Sequence, residues 1–245
     1  MKALVFAAGL GTRLRPITDH MPKALVPVAG VPMLERVITK LAQQGCDSFV
    51  VNVHHFANQI EDFLKEKNNW GLPIAVSKEL EQPLETGGGI KHAAPLIGNN
   101  RFLVHNADIL STLDVEWFIG RDKQDNLATL LVREADADRY LLFDDDMRLV
   151  GWTNVKTGEV KSPFLPDFNP ADYHKYSFCG IHIISPEVFP EMAAWPDKFS
   201  IIDFYLALAA RHNIKAVLAP ADMKLVDIGS QEGLREAERM ITFAR

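Results

Sequence analysis

Apolar residues recur along the chain with two periods, and the order in which those periods alternate outlines a fold. Residues 2–8 (KALVFAA) form a continuous apolar run of strand length, the pattern of a strand covered on both faces. Over 32–44 the positions Leu34, Val37, Ile38, Leu41 and Ala42 keep helical spacing, and Gly45 supplies a stop. Residues 48–53 (SFVVNV) are β-branched and strand-like. Ile60, Phe63 and Leu64 give one apolar face to a helix over 58–67. A short strand at 74–77, a helix over 88–96 and another short strand at 102–105 follow. This alternation predicts βαβ units, and hence a parallel sheet with helices on both faces.

The pattern changes after the first hundred residues. Strands are predicted at 128–132, 140–143, 149–152 and 178–184, the middle two joined by a hairpin around Asp144, Asp145 and Asp146. An Asp-rich turn explains that acidic run better than a metal site does. Residues 161–172 hold Pro163, Pro166 and Pro170 and read as a loop. Helices over 201–212 and 231–245 close the chain. No internal repeat and no low-complexity linker interrupts it. The expected architecture is one α/β domain, a Rossmann-like mixed, mainly parallel sheet flanked by helices, with a small β-rich insertion.

Composition narrows the function classes. The 245 residues are 47% hydrophobic and 24% charged, an ordinary globular balance. With 26 Lys and Arg against 32 Asp and Glu, the net charge is -6. No basic stripe offsets that sign, so a nucleic-acid partner is not expected. Cys46 and Cys179 are far apart and flanked by small or apolar residues, which suits reduced, packed thiols rather than a zinc site. No apolar run reaches about 18 residues, so no membrane span is expected. The apolar start is too short for a signal peptide, and the simplest location is the cytoplasm.

The chemistry concentrates after the first strand, in Gly9-Leu10-Gly11-Thr12-Arg13-Leu14-Arg15-Pro16. Glycines at the carboxyl end of a first parallel strand bring backbone N–H groups close to a ligand and favour phosphate oxygens. The dinucleotide fingerprint fails because Leu14 stands where its third glycine belongs, and the P-loop lacks its Gly-Lys-Ser/Thr. What remains is a glycine turn followed by Arg13, Arg15 and Lys23, three cations close to one strand end.

These residues, with Met21-Pro22-Lys23-Ala24-Leu25-Val26-Pro27, resemble the signature of the sugar-1-phosphate nucleotidyltransferases. Gln82-Pro83-Leu84-Glu85-Thr86-Gly87-Gly88-Gly89, Asn106-Ala107-Asp108 and Val226-Asp227-Ile228-Gly229-Ser230 match further family segments in order. The resemblance spans nearly the whole chain and is weakest between Leu113 and Phe178. It implies a single nucleotidyltransferase domain over 1–245, with a nucleotide half over about 1–112 and a sugar half over about 113–245. It also implies an enzyme that joins an NTP to a sugar 1-phosphate and releases pyrophosphate. Such a reaction needs no general base, because the sugar phosphate is already an anion. It needs positioning and cations against repulsion.

The resemblance assigns roles residue by residue. Backbone N–H groups of Leu10, Gly11 and Thr12 would cradle the triphosphate. Arg13 and Lys23 would be the catalytic cations. Gln82, Thr86, Gly87 and Asn106 would bind the nucleotide, and Gly180 and Asp203 the sugar. Asp108 and Asp227 would hold Mg²⁺, which takes one or two carboxylates beside phosphate oxygens and water. Read without the resemblance, each Asp is equally a turn or helix-capping residue.

Two departures stand out. Leu225 replaces the aromatic residue common before the last Asp, and no Glu-Lys-Pro motif is present to grip the sugar phosphate. Lys156 and Lys161 are available substitutes, though each reads first as a solvated lysine. His54, His55 and His105 have no part in phosphoryl transfer and are read as structural. Glu85, where guanylyltransferases usually have Gly, makes the segment look most like compact uridylyltransferases that act on N-acetylmuramate 1-phosphate. UTP is therefore favoured over GTP with mannose or heptose 1-phosphate. A catalytically silent binding subunit is the reading from another class, and a cytidylyltransferase for a small phospho-alcohol is a weaker one. One more helix follows in the sequence, and no C-terminal β-helix domain is expected. The oligomeric state has no signal in the sequence.

Overall fold

The structure, a computed structural model, describes residues 1–243. β1 (Lys2–Phe6) lies between the two halves of the sheet. Beyond the short ribbon of β2 (Pro27–Val28) and β3 (Val31–Pro32), the chain runs through α1 (Met33–Gln43), β4 (Ser48–Val53), α2 (Ala57–Glu66), β5 (Ile74–Lys78), α3 (Glu85–Ile97) and β6 (Phe102–Asn106). β4 pairs parallel to β1 on one side and β6 on the other, with β5 parallel outside β4. The βαβ reading of the first half therefore holds. The order β5-β4-β1-β6 reverses direction between β1 and β6, and an open α/β sheet binds ligands in the crevice at such a switch point.

The strands alternate strictly between two cores. Ala3, Val5, Phe49, Val51, Val53 and Leu103 pack with the buried faces of α1 and α2. Leu4, Val50, Phe102 and Val104 face α3 on the other side. Each strand is covered on both faces, which is why it reads as an unbroken apolar run.

The second half adds β7 (Ile109–Ser111), α4 (Val115–Ile119), β8 (Ala128–Arg133), β9 (Arg139–Phe143), β10 (Leu149–Asn154), β11 (Glu159–Lys161) and β12 (His174–Ile184). It ends with α5 (Val188–Met192), α6 (Ile201–Leu208), β13 (Ile214–Leu218), β14 (Leu225–Asp227) and α7 (Gln231–Thr242). β12 is antiparallel to β6, β8 and β9, so the sheet is mixed. β9 and β10 form the expected hairpin, and Asp144 Oδ1 accepts from the amides of Asp146 and Arg148 across its turn.

Several elements differ from expectation. α3 begins at Glu85 rather than 88, because its run of glycines hides the helical period. β12 begins at His174 rather than 178, and Lys161 closes β11 instead of opening a loop. The helix expected over 201–212 ends at Leu208. β7, β11, β13 and β14 and the five-residue α4 and α5 are too short to show a period. The last helix is seen as far as Thr242, and its final two expected positions lie outside the described residues. Cys46 and Cys179 are buried free thiols, and burial raises both, Cys46 to about 11 and Cys179 to about 12. No helix among the described residues is long and apolar enough to cross a membrane.

Candidate functional site

The carboxyl ends of β1 and β6 open onto a cavity of about 260 Å³. Its walls come from the first loop (Ala7 to Leu10), from Lys23 and Ala24, from Asn106, Ala107 and Asp108, and from Pro83, Glu85 and Thr86. The first loop turns at Gly11, whose φ is 64°. A side chain there would also press on Thr18 at 2.9 Å, so glycine serves both backbone and space. Thr18 Oγ1 donates to the Gly11 carbonyl at 2.7 Å, and buried Leu14 pins the far side of the turn.

Lys23 is the centre of the charged end. It is only 8% exposed. Its ammonium donates to Asp108 Oδ2 in a short contact and to Asp227 Oδ1 at 3.2 Å. Arg13 stands on the solvent side, with Nη2 3.7 Å from Asp227 Oδ2. Residues separated by more than two hundred positions thus share one cluster. The two carboxylates are brought together by a small ribbon. β14 pairs antiparallel to β7 with Asp227 opposite Ile109, and the Ile228 amide donates to the Asp108 carbonyl at 3.0 Å. The Gly229 amide fixes Asp227 Oδ1 at 2.6 Å.

Two carboxylates whose oxygens converge on a single cation form a hard oxygen donor set that suits Mg²⁺. The described residues contain no cluster of three or more His, Cys, Asp or Glu, and Mg²⁺ needs none, since it retains waters and phosphate oxygens.

The residues expected at the base divide. Thr86 lines the cavity, and its hydroxyl accepts from the Ile201 amide at 3.0 Å. Gln82 is exposed on the preceding turn and is not part of the cavity wall. Gly87 is buried, its amide donates to Phe199 O at 2.9 Å, and a Cβ would overlap the Phe199 ring. Its lack of a side chain serves the packing of α3 against the chain before α6. Asn106 does line the cavity.

On the sugar side, Gly180 has φ 69° at the register break of β12, and a Cβ would lie 2.6 Å from Asn106 Nδ2. The bulge thus lets Asn106 lie flat against β12. Asp203 sits in the first turn of α6, outside the cavity wall, paired with Lys161 Nζ at 2.9 Å. Lys161 also lies 5.2 Å above the Trp152 ring. It is therefore not simply solvated, whereas Lys156 pairs with Asp138 on the surface.

His105 is wholly buried, and desolvation lowers it to about 4, so it is a neutral structural ring. Asn52 and Glu79 carry no signal in the sequence, whereas Gly229 lies in the segment that carries Asp227.

The chain matches the model of the family described as nucleotidyl transferase over residues 2–161. It is 33% identical to N-acetylmuramate alpha-1-phosphate uridylyltransferase of Caulobacter vibrioides, across 99% of this chain and 97% of that one. It is 45% identical to the protein of the same name from Neisseria meningitidis, over 46% of this chain and 49% of that one. In fold it resembles HddC from Yersinia pseudotuberculosis complexed with GMP-PN, with a TM-score of 0.75, 25% identity, and coverage of 98% and 99%.

Proposed function

Because the chain belongs to the nucleotidyl transferase family and is a sugar-1-phosphate nucleotidyltransferase, we propose that it transfers uridylyl from UTP to N-acetylmuramate 1-phosphate. One observation carries the chemistry: Lys23 bridges Asp108 and Asp227 beneath the glycine turn that bears Arg13. The choice of substrates rests on the full-length likeness to a uridylyltransferase of that specificity and on Glu85 at the mouth of the cavity.

In the proposed reaction an oxygen of the sugar phosphate attacks the α-phosphorus in line. A new P–O bond forms, the bond from the α-phosphorus to the bridging oxygen breaks, and pyrophosphate leaves. The proposed displacement is direct, with the sugar phosphate as the nucleophile and no nucleotidyl group held on the protein. The amides of Leu10, Gly11 and Thr12 hold the triphosphate, and Arg13 meets its β and γ oxygens with a planar fork. Lys23 neutralises charge on the α-phosphate and the incoming phosphate.

Asp108 and Asp227 would hold Mg²⁺, which would supply Lewis-acid neutralisation of the phosphate oxygens. Lys23 donates to both carboxylates, so its ammonium would compete with the ion for them. Gln82, Thr86 and Asn106 face the nucleotide. Gly180 and Asp203 contact the sugar, and Lys161, released from Asp203, grips the acceptor phosphate. Nucleotide binding belongs to about 1–112, sugar binding to about 113–245, and the setting is the cytoplasm, in cell-wall recycling.

GTP with a mannose or heptose 1-phosphate is the second reading. It is favoured by the 27% identity to D-glycero-alpha-D-manno-heptose 1-phosphate guanylyltransferase of Campylobacter jejuni over 95% of this chain. Pyrophosphate release with each ribonucleoside triphosphate against N-acetylmuramate, N-acetylglucosamine, glucose, mannose and heptose 1-phosphates separates the two. The first reading expects UTP with N-acetylmuramate 1-phosphate to give the highest kcat/KM. A higher value for GTP with mannose or heptose 1-phosphate replaces it with the second.

A further inference from the structure

Beneath the cavity lies a polar pair that none of the expected roles uses. Glu79 follows β5 and is 4% exposed, and Asn52, in β4, is fully buried. Both line the cavity. Asn52 Nδ2 donates to Glu79 Oε1 at 3.0 Å, and the Leu84 amide donates to Glu79 Oε2 at 2.8 Å. No ion pair to Glu79 occurs among the described residues. A buried carboxylate held only by neutral donors is costly to keep, so its position calls for a reason beyond stability.

Its connections supply one. The Asn52 carbonyl accepts from Ala7 N at 2.8 Å, which ties it to the start of the first loop. The Glu79 side chain closes the turn from 79 to 84, whose exposed arc carries Gln82 and whose end leads into Glu85 and Thr86. Glu85 holds φ 62°, an uncommon angle for a non-glycine residue, at the cavity mouth. The far side of the turn is tied to the other half by Phe199 N donating to Leu84 O at 3.2 Å. Gly89 of α3 makes room for the pair: a Cβ there would lie 3.0 Å from Glu79 Oε1 and 2.7 Å from the Phe6 ring.

We propose that Glu79, held by Asn52, is a positioning residue that fixes the 79–86 turn against the first loop and so sets affinity and selectivity for the nucleotide base. This rests on the assignment of the cavity to the nucleotide. The polar pair reaches the base only through the turn that it holds.

The test is steady-state kinetics of Glu79→Ala, Glu79→Gln and Leu84→Pro in the full chain, with both substrates varied. Glu79→Ala removes the anchor. Leu84→Pro removes the N–H together with the half-buried leucine side chain, at a φ of -87° that is close to the proline range. Each is expected to raise the nucleotide KM roughly tenfold, the scale of one hydrogen bond to a charged group. The acceptor KM and kcat should stay within about threefold, and discrimination among nucleotides should narrow.

Glu79→Gln should restore near-wild-type constants. Its carbonyl keeps Leu84, and its amide donates to Asn52 Oδ1, which has no partner among the described residues, once the Asn52 amide turns over. If Glu79→Ala and Leu84→Pro lower Tm but leave the nucleotide KM unchanged, or raise both KM values alike, the positioning role is overturned. Wild-type protein that turns over no nucleotide overturns the underlying assignment instead.

Discussion

At the residue scale, the proposed chemistry turns on Lys23. Among the described residues it is the cation inside the cluster, while Arg13 remains on the rim. Lys23→Ala should lower kcat by about a hundredfold or more, the scale of one lost transition-state charge contact. A loss below about tenfold, measured by pyrophosphate release, contradicts its role. The same substitution clears the space between Asp108 and Asp227. Mn²⁺ bound to nucleotide-free protein, read by electron paramagnetic resonance, should therefore tighten in Lys23→Ala, and unchanged or weaker binding contradicts a shared space.

Lys23, Asp108 and Asp227 were legible in the sequence because each lies in a motif with its own spacing. Glu79 and Asn52 were not. A single polar residue at a strand end carries no period, and its burial depends on the neighbouring helix, here through Gly89. Gly87 was legible as a glycine, but its conspicuous neighbours gave no hint that Phe199 lies against it.

At the element scale, the β7–β14 ribbon matters most. Each strand has three residues, too few to show alternation, so the device that joins Asp108 to Asp227 left almost no trace in the pattern. The long parallel strands were legible because they are covered on both faces and β-rich. α3 was half-hidden by glycines, which weaken helical propensity yet allow its close approach to Phe199 and Phe6. α7 supports the ribbon. Ser230 caps it by accepting from Gly233 N at 3.1 Å, and Gly233 lies so close to the Asp227 carbonyl that a Cβ would overlap it. Gly233→Ala should push β14 outward and raise the Mg²⁺ concentration for half-maximal rate severalfold. A variant that loses only Tm, with its metal requirement unchanged, contradicts that coupling.

At the scale of the whole molecule, two buried imidazoles weaken the fold as pH falls. Burial lowers His182 to about 3, where its Nδ1 meets the Tyr205 hydroxyl at 2.8 Å, and lowers His105 to about 4. Both stay neutral when folded, while an unfolded chain protonates them near pH 6.5. As pH falls from 6.5 toward 4 the unfolded state binds more protons, and each ring removes up to ~1.4 kcal/mol of stability per pH unit. Denaturant unfolding from pH 7 to 5 should show this decline, and His182→Asn should make it shallower. An unchanged slope contradicts the neutral-ring account.

If the chain transfers a nucleotidyl group in one direct displacement, labelled pyrophosphate should enter UTP when uridine-diphosphate-N-acetylmuramate is supplied with Mg²⁺, and should not do so from UTP and pyrophosphate alone. Exchange without the sugar substrate, at a rate comparable to turnover, would contradict direct displacement by revealing a nucleotidyl group held on the protein.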